Sequence, residues 1–200
     1  MPLETRLDGA RAGTMTTPAH RDDDALALLA SGDTRGAATQ VISVHGPAVL
    51  DFIRALLRDD DLAADAFSLF AEWTWRAISR FRGEGALRTW AFSIGYHAAR
   101  RVRDEAWRRR RKTWLSGDAS KLAAKITTAS VRERRDELLA ELRAQLKPEE
   151  QGLLHLRLNG ELSWDEIALV LEVTPATARK RFERIKRHLS EAARNRGLIG

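Results

Sequence analysis

The chain has no cysteine. That excludes disulfides, thiolate metal sites and a cysteine nucleophile, and it fits a reducing compartment. It also has no apolar run of the roughly 18 to 20 residues that a bilayer-spanning helix needs. The opening segment, MPLETRLDGARAGTMTTPAH, lacks the apolar core of a secretory signal. A cytoplasmic location is therefore expected. There is no GxxxxGK phosphate loop, so work driven by the chain's own nucleotide hydrolysis is not expected. His20, His45, His97, His155 and His188 show no metal-ligand spacing, and no nucleophile has an evident base partner. Neither an enzyme nor a bound cofactor or metal is expected. Period-two alternation of any length is missing too, so no strands are predicted and the fold class is all-α.

What is present points to a polyanion. The net charge is +6 and the isoelectric point is about 10.3, which favours DNA, RNA or an anionic membrane as partner. The membrane is the weaker fit, because the arginines follow a glycine-bearing loop and not a freestanding apolar face. Apolar residues make up 44% of the 200 positions, enough for compact cores in one ordinary domain or two small ones.

The stretch 81–112, FRGEGALRTWAFSIGYHAARRVRDEAWRRRRK, carries the strongest local chemistry. Gly83 and Gly85 mark a shaped loop, since glycine reaches backbone conformations closed to other residues. Trp90, Phe92, Tyr96 and His97 then lie close to Arg100, Arg101, Arg103 and the run from Arg108 to Lys112. Flat rings beside fixed cations suit an unpaired strand, whose bases stack and whose phosphates need charge. The same spacing also fits a helix with a buried aromatic face and a solvated basic one. Both readings stand at this point.

Around that stretch the pattern is helical throughout. Residues 1–21 are expected to form a mobile tail. Asp22-Asp23-Asp24 reads as the acidic start of a helix, and a second helix is predicted from near Thr34. His45-Gly46-Pro47 is expected to interrupt it, because proline disfavours a continuous helix. Asp59-Asp60-Asp61 opens a third helix over 62–80, on which Trp75 lies off the apolar stripe and faces outward. Residues 113–130 read as a flexible linker and a domain boundary. Leu138, Leu139, Leu142 and Leu146 begin a second core, Pro148 starts a helix, and Asn159-Gly160 ends it.

Ser163 and Glu166 form a capping box, and Thr174-Pro175 restarts the chain as a longer basic helix. A short helix, a tight turn and a longer helix make a helix-turn-helix. On the second helix Ala178, Phe182, Ile185 and Leu189 fall on one side at 100° per residue. Thr177, Arg179, Lys180, Glu183 and Arg184 lie elsewhere on it and are the predicted DNA contacts. The bland alternative is a solvated basic face on a structural helix.

Two separated blocks resemble the extracytoplasmic-function sigma factors, the compact bacterial initiation factors that direct RNA polymerase to promoters. FRGEGALRTW (81–90) is similar to the family's FRGEASLRTW, and LSWDEIALVLEVTPATARKRFERIKRHL (162–189) to its helix-turn-helix. The resemblance implies two small helical domains. A sigma-two-like bundle at 22–112 would bind polymerase core and recognise and melt the minus-ten element. A sigma-four-like helix-turn-helix at 131–195 would read the minus-thirty-five element. It implies a base-capture pocket of Phe81, Glu84, Ala86 and His97, with Trp90, Arg100 and Arg101 beside it. It implies a polymerase-binding face of Asp65, Ser68, Leu69, Glu72, Trp73 and Arg76. The implied partners are RNA polymerase core, promoter DNA and an anti-sigma factor. Ser68 and Leu69 replace a polar pair usual in the family, and His97 and Arg101 stand where many members have Asn and Asp. The main rival reading is a stand-alone helix-turn-helix regulator with an N-terminal dimerisation or sensing domain.

Overall fold

The computed structural model describes residues 18–83, 85–115 and 145–196, and every regular element among them is helical. Helix α1 is Pro18–Ala30, α2 Thr34–Leu57, α3 Asp60–Ala77 and α4 Leu87–Leu115, with a single 3-10 turn, Ile78–Arg80, after α3. Helices α5 (Pro148–Leu158), α6 (Trp164–Leu171) and α7 (Pro175–Asn195) complete the described chain.

Local chemistry sets most of the ends. The Asp33 carboxylate accepts the Gly36 N–H at 2.8 Å to start α2, and Asp59 accepts the Leu62 N–H at 3.0 Å to start α3. Arg58 ends α2 in the left-handed region at φ 54°, and its guanidinium donates to the Leu146 carbonyl. Pro148 sits at the first position of α5, where its missing N–H costs nothing.

Helix α2 is the hub and packs against α1, α3, α4 and α5. Ala37, Ala38, Val41, Val49, Phe52, Ile53 and Leu56 are all buried along it. It is long and apolar enough to cross a membrane by length and composition alone, contrary to the expectation from the sequence; here its buried residues lie in the protein core.

Helix α2 is also continuous, and the expected break at His45-Gly46-Pro47 does not occur. An interior proline costs a helix about 3 kcal/mol. Packing on both sides holds the segment. His45 is buried with its Nε2 2.7 Å from the Asp22 carboxylate on α1. Gly46 leaves room for Phe67, whose ring lies 3.3 Å from where a Cβ would stand. Asp22 therefore lies inside α1 as the hydrogen-bond partner of His45 and does not cap it; α1 starts four residues earlier, at Pro18, within the segment expected to be a tail.

Helix α4 runs to Leu115, past the expected linker start at 113. Residues 116–130 and Leu138, Leu139 and Leu142 fall outside the described residues, as do positions 1–17. Leu146 is buried as expected. The C-terminal helices pack directly on the N-terminal ones, α5 on α2 and α6 on α4. Gly152 on α5 is the contact point: a Cβ there would lie 2.6 Å from Leu56 Cδ2 and 3.2 Å from the Phe52 ring.

Candidate nucleic-acid interface

The loop between the 3-10 turn and α4 opens a concavity of about 440 Å³. Gly83 turns the chain there at φ 73°, a left-handed conformation that costs a side chain-bearing residue about 1–2 kcal/mol. Phe81, Ala86, Trp90 and His97, which the resemblance placed in or beside a base-capture pocket, all line the concavity. The Phe81 and Trp90 rings meet edge to face, 5.5 Å between centroids, which fixes two flat surfaces at its wall. Glu84 lies outside the described residues.

Five lining groups were not foreseen: Arg80, Arg82, Thr89, Ser93 and, from α6, Leu169. Ala86, Thr89, Ser93 and His97 follow one another at helical spacing, so the sequence did hold the signal. Arg100 and Arg101 do not reach the concavity. Arg101 pairs with Glu105 one turn on, at 2.6 Å. Arg100 lies 5.7 Å from the Tyr96 ring centre and donates to Glu172 at 2.6 Å.

Phe92 corrects the stacking reading. Its ring is fully buried and meets Phe52 edge to face at 5.5 Å. With Ala91, Gly95, Ala98, Ala99 and Val102 it makes the buried stripe of α4. The aromatic stretch thus has two faces, a buried one with Phe92 and an open one with Trp90 and His97.

The helix-turn-helix forms as its sequence signals require. Ser163 Oγ accepts the Glu166 N–H at 3.3 Å, and the Glu166 carboxylate accepts the Ser163 N–H at 2.8 Å. Glu172 ends α6 in the left-handed region at φ 55°. Thr174 Oγ1 accepts the Thr177 N–H at 3.2 Å to start α7. Trp164 packs edge to face on Phe182 at 5.3 Å and carries the Arg157 guanidinium 4.8 Å above its ring. Ala178, Phe182 and Ile185 are buried; Leu189 is half-buried.

That packing turns the opposite side of α7 outward. Arg179, Lys180, Glu183 and Arg184 are exposed, and Thr177 is half-exposed with its hydroxyl 2.8 Å from that of Thr174. Thr177, Lys180, Glu183 and Arg184 share one shallow surface with Arg181 and Arg187; Arg179 lies outside it. Arg184 also reaches Glu150 on α5 at 3.2 Å. A helix N-terminus with neighbouring cations on an open face can enter a duplex groove and contact phosphates.

On α3, Asp65, Ser68, Glu72 and Arg76 form an exposed row, with Leu69 and Trp73 half-buried beside it. Arg76 pairs with Glu72 at 2.7 Å, and the Ser68 hydroxyl donates to the Ala64 carbonyl. Trp75 is 41% exposed, as expected, with Arg35 5.8 Å from its ring centre. Among the described residues no cluster of three His, Cys, Asp or Glu could hold a metal ion.

Glu166 bridges the two halves. Its Oε1 accepts the Thr89 hydroxyl at 2.7 Å. Partial burial pushes its carboxyl up, but the Ser163 N–H, the Thr89 and Ser163 hydroxyls and the nearby Arg88 outweigh this and hold it below the usual glutamate value.

No family model and no curated protein sequence matches the chain. Solved structures do. CnrH, in complex with the cytosolic domain of CnrY, superposes with a TM-score of 0.59 at 20% identity, over 86% of this chain and 96% of that one. The sigma factor RpoE, in complex with the anti-sigma factor NepR from Bartonella quintana, gives 0.55 at 17% identity, over 78% and 96%. The fold is that of a sigma factor. Within the sigma-factor fold, the concavity is built mainly on the half before residue 116, joined by Leu169 of α6, and the basic face of α7 lies on the half after residue 144.

Proposed function

We propose that this chain is a sigma factor of the extracytoplasmic-function type, which binds RNA polymerase core and directs promoter-specific initiation. The division into a bundle at 22–112 and a helix-turn-helix domain at 131–195 belongs to this reading. The observation that carries it is the pairing, in one sigma-type fold, of a ring-walled concavity with an exposed basic recognition helix. The first suits a base taken out of the stack and the second suits intact duplex. In this role Phe81, Trp90 and His97 hold the extruded minus-ten base, with Glu84 and Ala86 at the loop. Lys180, Arg184, Arg179, Glu183 and Thr177 read the minus-thirty-five element. The row on α3 from Asp65 to Arg76 meets the polymerase.

The energetics fit a factor that melts DNA without hydrolysing a nucleotide. Extruding a base costs a few kcal/mol, and each base stacked on an aromatic ring returns about 1–3 kcal/mol. One pocket comes close to balance, and contacts made with polymerase complete it. Binding of polymerase and DNA places the chain's work in the cytoplasm, and an anti-sigma factor would cover the same faces.

Run-off transcription with purified core polymerase on a promoter library tests the reading. A sigma factor yields discrete promoter-dependent transcripts from core that is otherwise silent. A stand-alone regulator yields none and binds operator duplex by itself as a dimer.

A further inference from the structure

Helix α7 carries one side chain whose charge opposes all its neighbours. Between Pro175 and Leu189 there are six lysines and arginines and a single carboxylate, Glu183. At 100° per residue Glu183 points about 130° from the middle of the buried stripe, on the outward side with Lys180, Arg184 and Arg187. These four share one shallow surface, and the Glu183 side chain is 59% exposed. A carboxylate there repels the phosphates of any duplex that the surrounding cations attract. One like charge at about 5 Å in watery surroundings costs about two- to fourfold in affinity.

Support of the helix does not account for it. A surface pair three residues apart shifts helix stability by a factor of about two at most. The partner is Lys186, which holds Oε2 at 3.0 Å and lies 5.8 Å from the centre of the buried Phe182 ring, on the flank of α7. The outward cations leave the carboxylate alone. Arg184 turns to Glu150, and among the described residues neither Lys180 nor Arg187 pairs with Glu183. Its second oxygen, Oε1, makes no contact with a donor among them.

The chemistry of base edges says what that oxygen selects. A carboxylate accepts hydrogen bonds and cannot donate them. In the major groove guanine presents two acceptors, thymine an acceptor and a methyl, and adenine an acceptor beside a donor, while cytosine presents a donor alone. Only cytosine meets Glu183 without an opposing lone pair. Spacing gives Glu183 a base pair of its own. It stands three residues past Lys180, about 4.5 Å along the axis, against about 3.4 Å per base pair.

We propose that Glu183 is a base-selecting residue: Oε1 accepts the N4 amino hydrogen of a cytosine, and the duplex must present a C·G pair where Glu183 faces it. The proposal rests on the sigma-factor reading only for which duplex this is, the promoter minus-thirty-five element. The affinity that the carboxylate costs on every sequence is returned on the sequences that offer the donor.

Selection from duplexes with ten randomised positions tests this, once with the full chain alone and once with the chain on core polymerase and promoters randomised upstream. The parent should enrich cytosine at one position, roughly five- to 150-fold over guanine or thymine. Glu183→Ala should flatten that position and no other. Glu183→Gln should move the preference to adenine, whose N6 and N7 suit a glutamine amide, and should bind a duplex of unrelated sequence about two- to fourfold tighter. Glu191→Gln removes the same charge from an exposed site further along α7 and should leave every preferred base unchanged. Both positions are exposed, so the variants should melt with the parent.

The proposal is overturned if neither selection enriches cytosine, if the preference survives Glu183→Ala, or if Glu183→Gln selects the same bases as Glu191→Gln. If the base switch appears with the free chain but core polymerase yields no promoter-dependent transcript, selection by Glu183 stands and the sigma-factor reading falls. If transcripts appear and their upstream preference ignores every change at 183, the sigma-factor reading stands and Glu183 selects nothing.

Discussion

Replacing Phe92 and Phe81 separately should split stability from DNA opening. Phe92 is fully buried, its ring edge to face with Phe52 and near His155. Truncation of such a ring to alanine costs about 3–5 kcal/mol, a large share of the about 5–15 kcal/mol that holds a domain together. The milder Phe92→Leu should cost about 1–2 kcal/mol. In a chain of this size each kcal/mol lowers the melting temperature by about 2–4 °C, so the variant should melt about 2–8 °C lower. Phe81 is half-buried at the wall of the concavity. Phe81→Leu should leave the melting temperature nearly unchanged. It should lose about 1–3 kcal/mol of base stacking, a roughly five- to 150-fold drop in open-complex formation. Circular dichroism at 222 nm reads the first effect. Permanganate reactivity of unpaired thymines, in reactions with core polymerase, reads the second. The assignment of the two faces of α4 is refuted if Phe92→Leu melts like the parent and opens DNA poorly, or if Phe81→Leu opens DNA normally.

The remaining predictions address the helices around that site. Pro47→Ala should raise the melting temperature: it restores a backbone donor inside α2, and the gain of up to about 3 kcal/mol exceeds the roughly 0.4–1 kcal/mol given up in the unfolded chain. Lys180→Ala should weaken duplex binding alike across sequences and reduce the salt slope by about 0.9, the value for one phosphate contact; an unchanged slope removes Lys180 from the interface. Glu166 carries a depressed carboxyl, so its contribution is fully present above the ordinary glutamate value of 4.5 and is lost as pH falls through the lower folded value. Urea unfolding should therefore find Glu166→Gln less stable than the parent at pH 7, with the difference closing as pH falls below the ordinary glutamate value.

How far the sequence speaks for the structure depends on the range of the forces involved. The helix-turn-helix was legible because its signals are local: Ser163 with Glu166, and Thr174 before Pro175, cap helices within one turn. The glycine loop and its rings were legible for the same reason, and the all-helical pattern followed from periodicity. The continuity of α2 was not. Proline's penalty is visible in sequence, while the Asp22–His45 pair and the seat of Phe67 against Gly46 span many residues. Phe92 could have been placed in the core, since Ala91, Gly95, Ala98, Ala99 and Val102 mark a face of small residues on either side of it. Nothing in the order of residues links Thr89 to Glu166 or Arg100 to Glu172, which meet only when the C-terminal helices fold back.

Glu172 answers to two masters. Its backbone supplies the left-handed corner between α6 and α7, and its side chain reaches across to Arg100. Glycine would adopt the corner more readily than glutamate and would delete the carboxylate. A glutamate codon becomes a glycine codon by one base change. A single nucleotide change can therefore release Arg100 from its partner across the two halves, with the turn left intact.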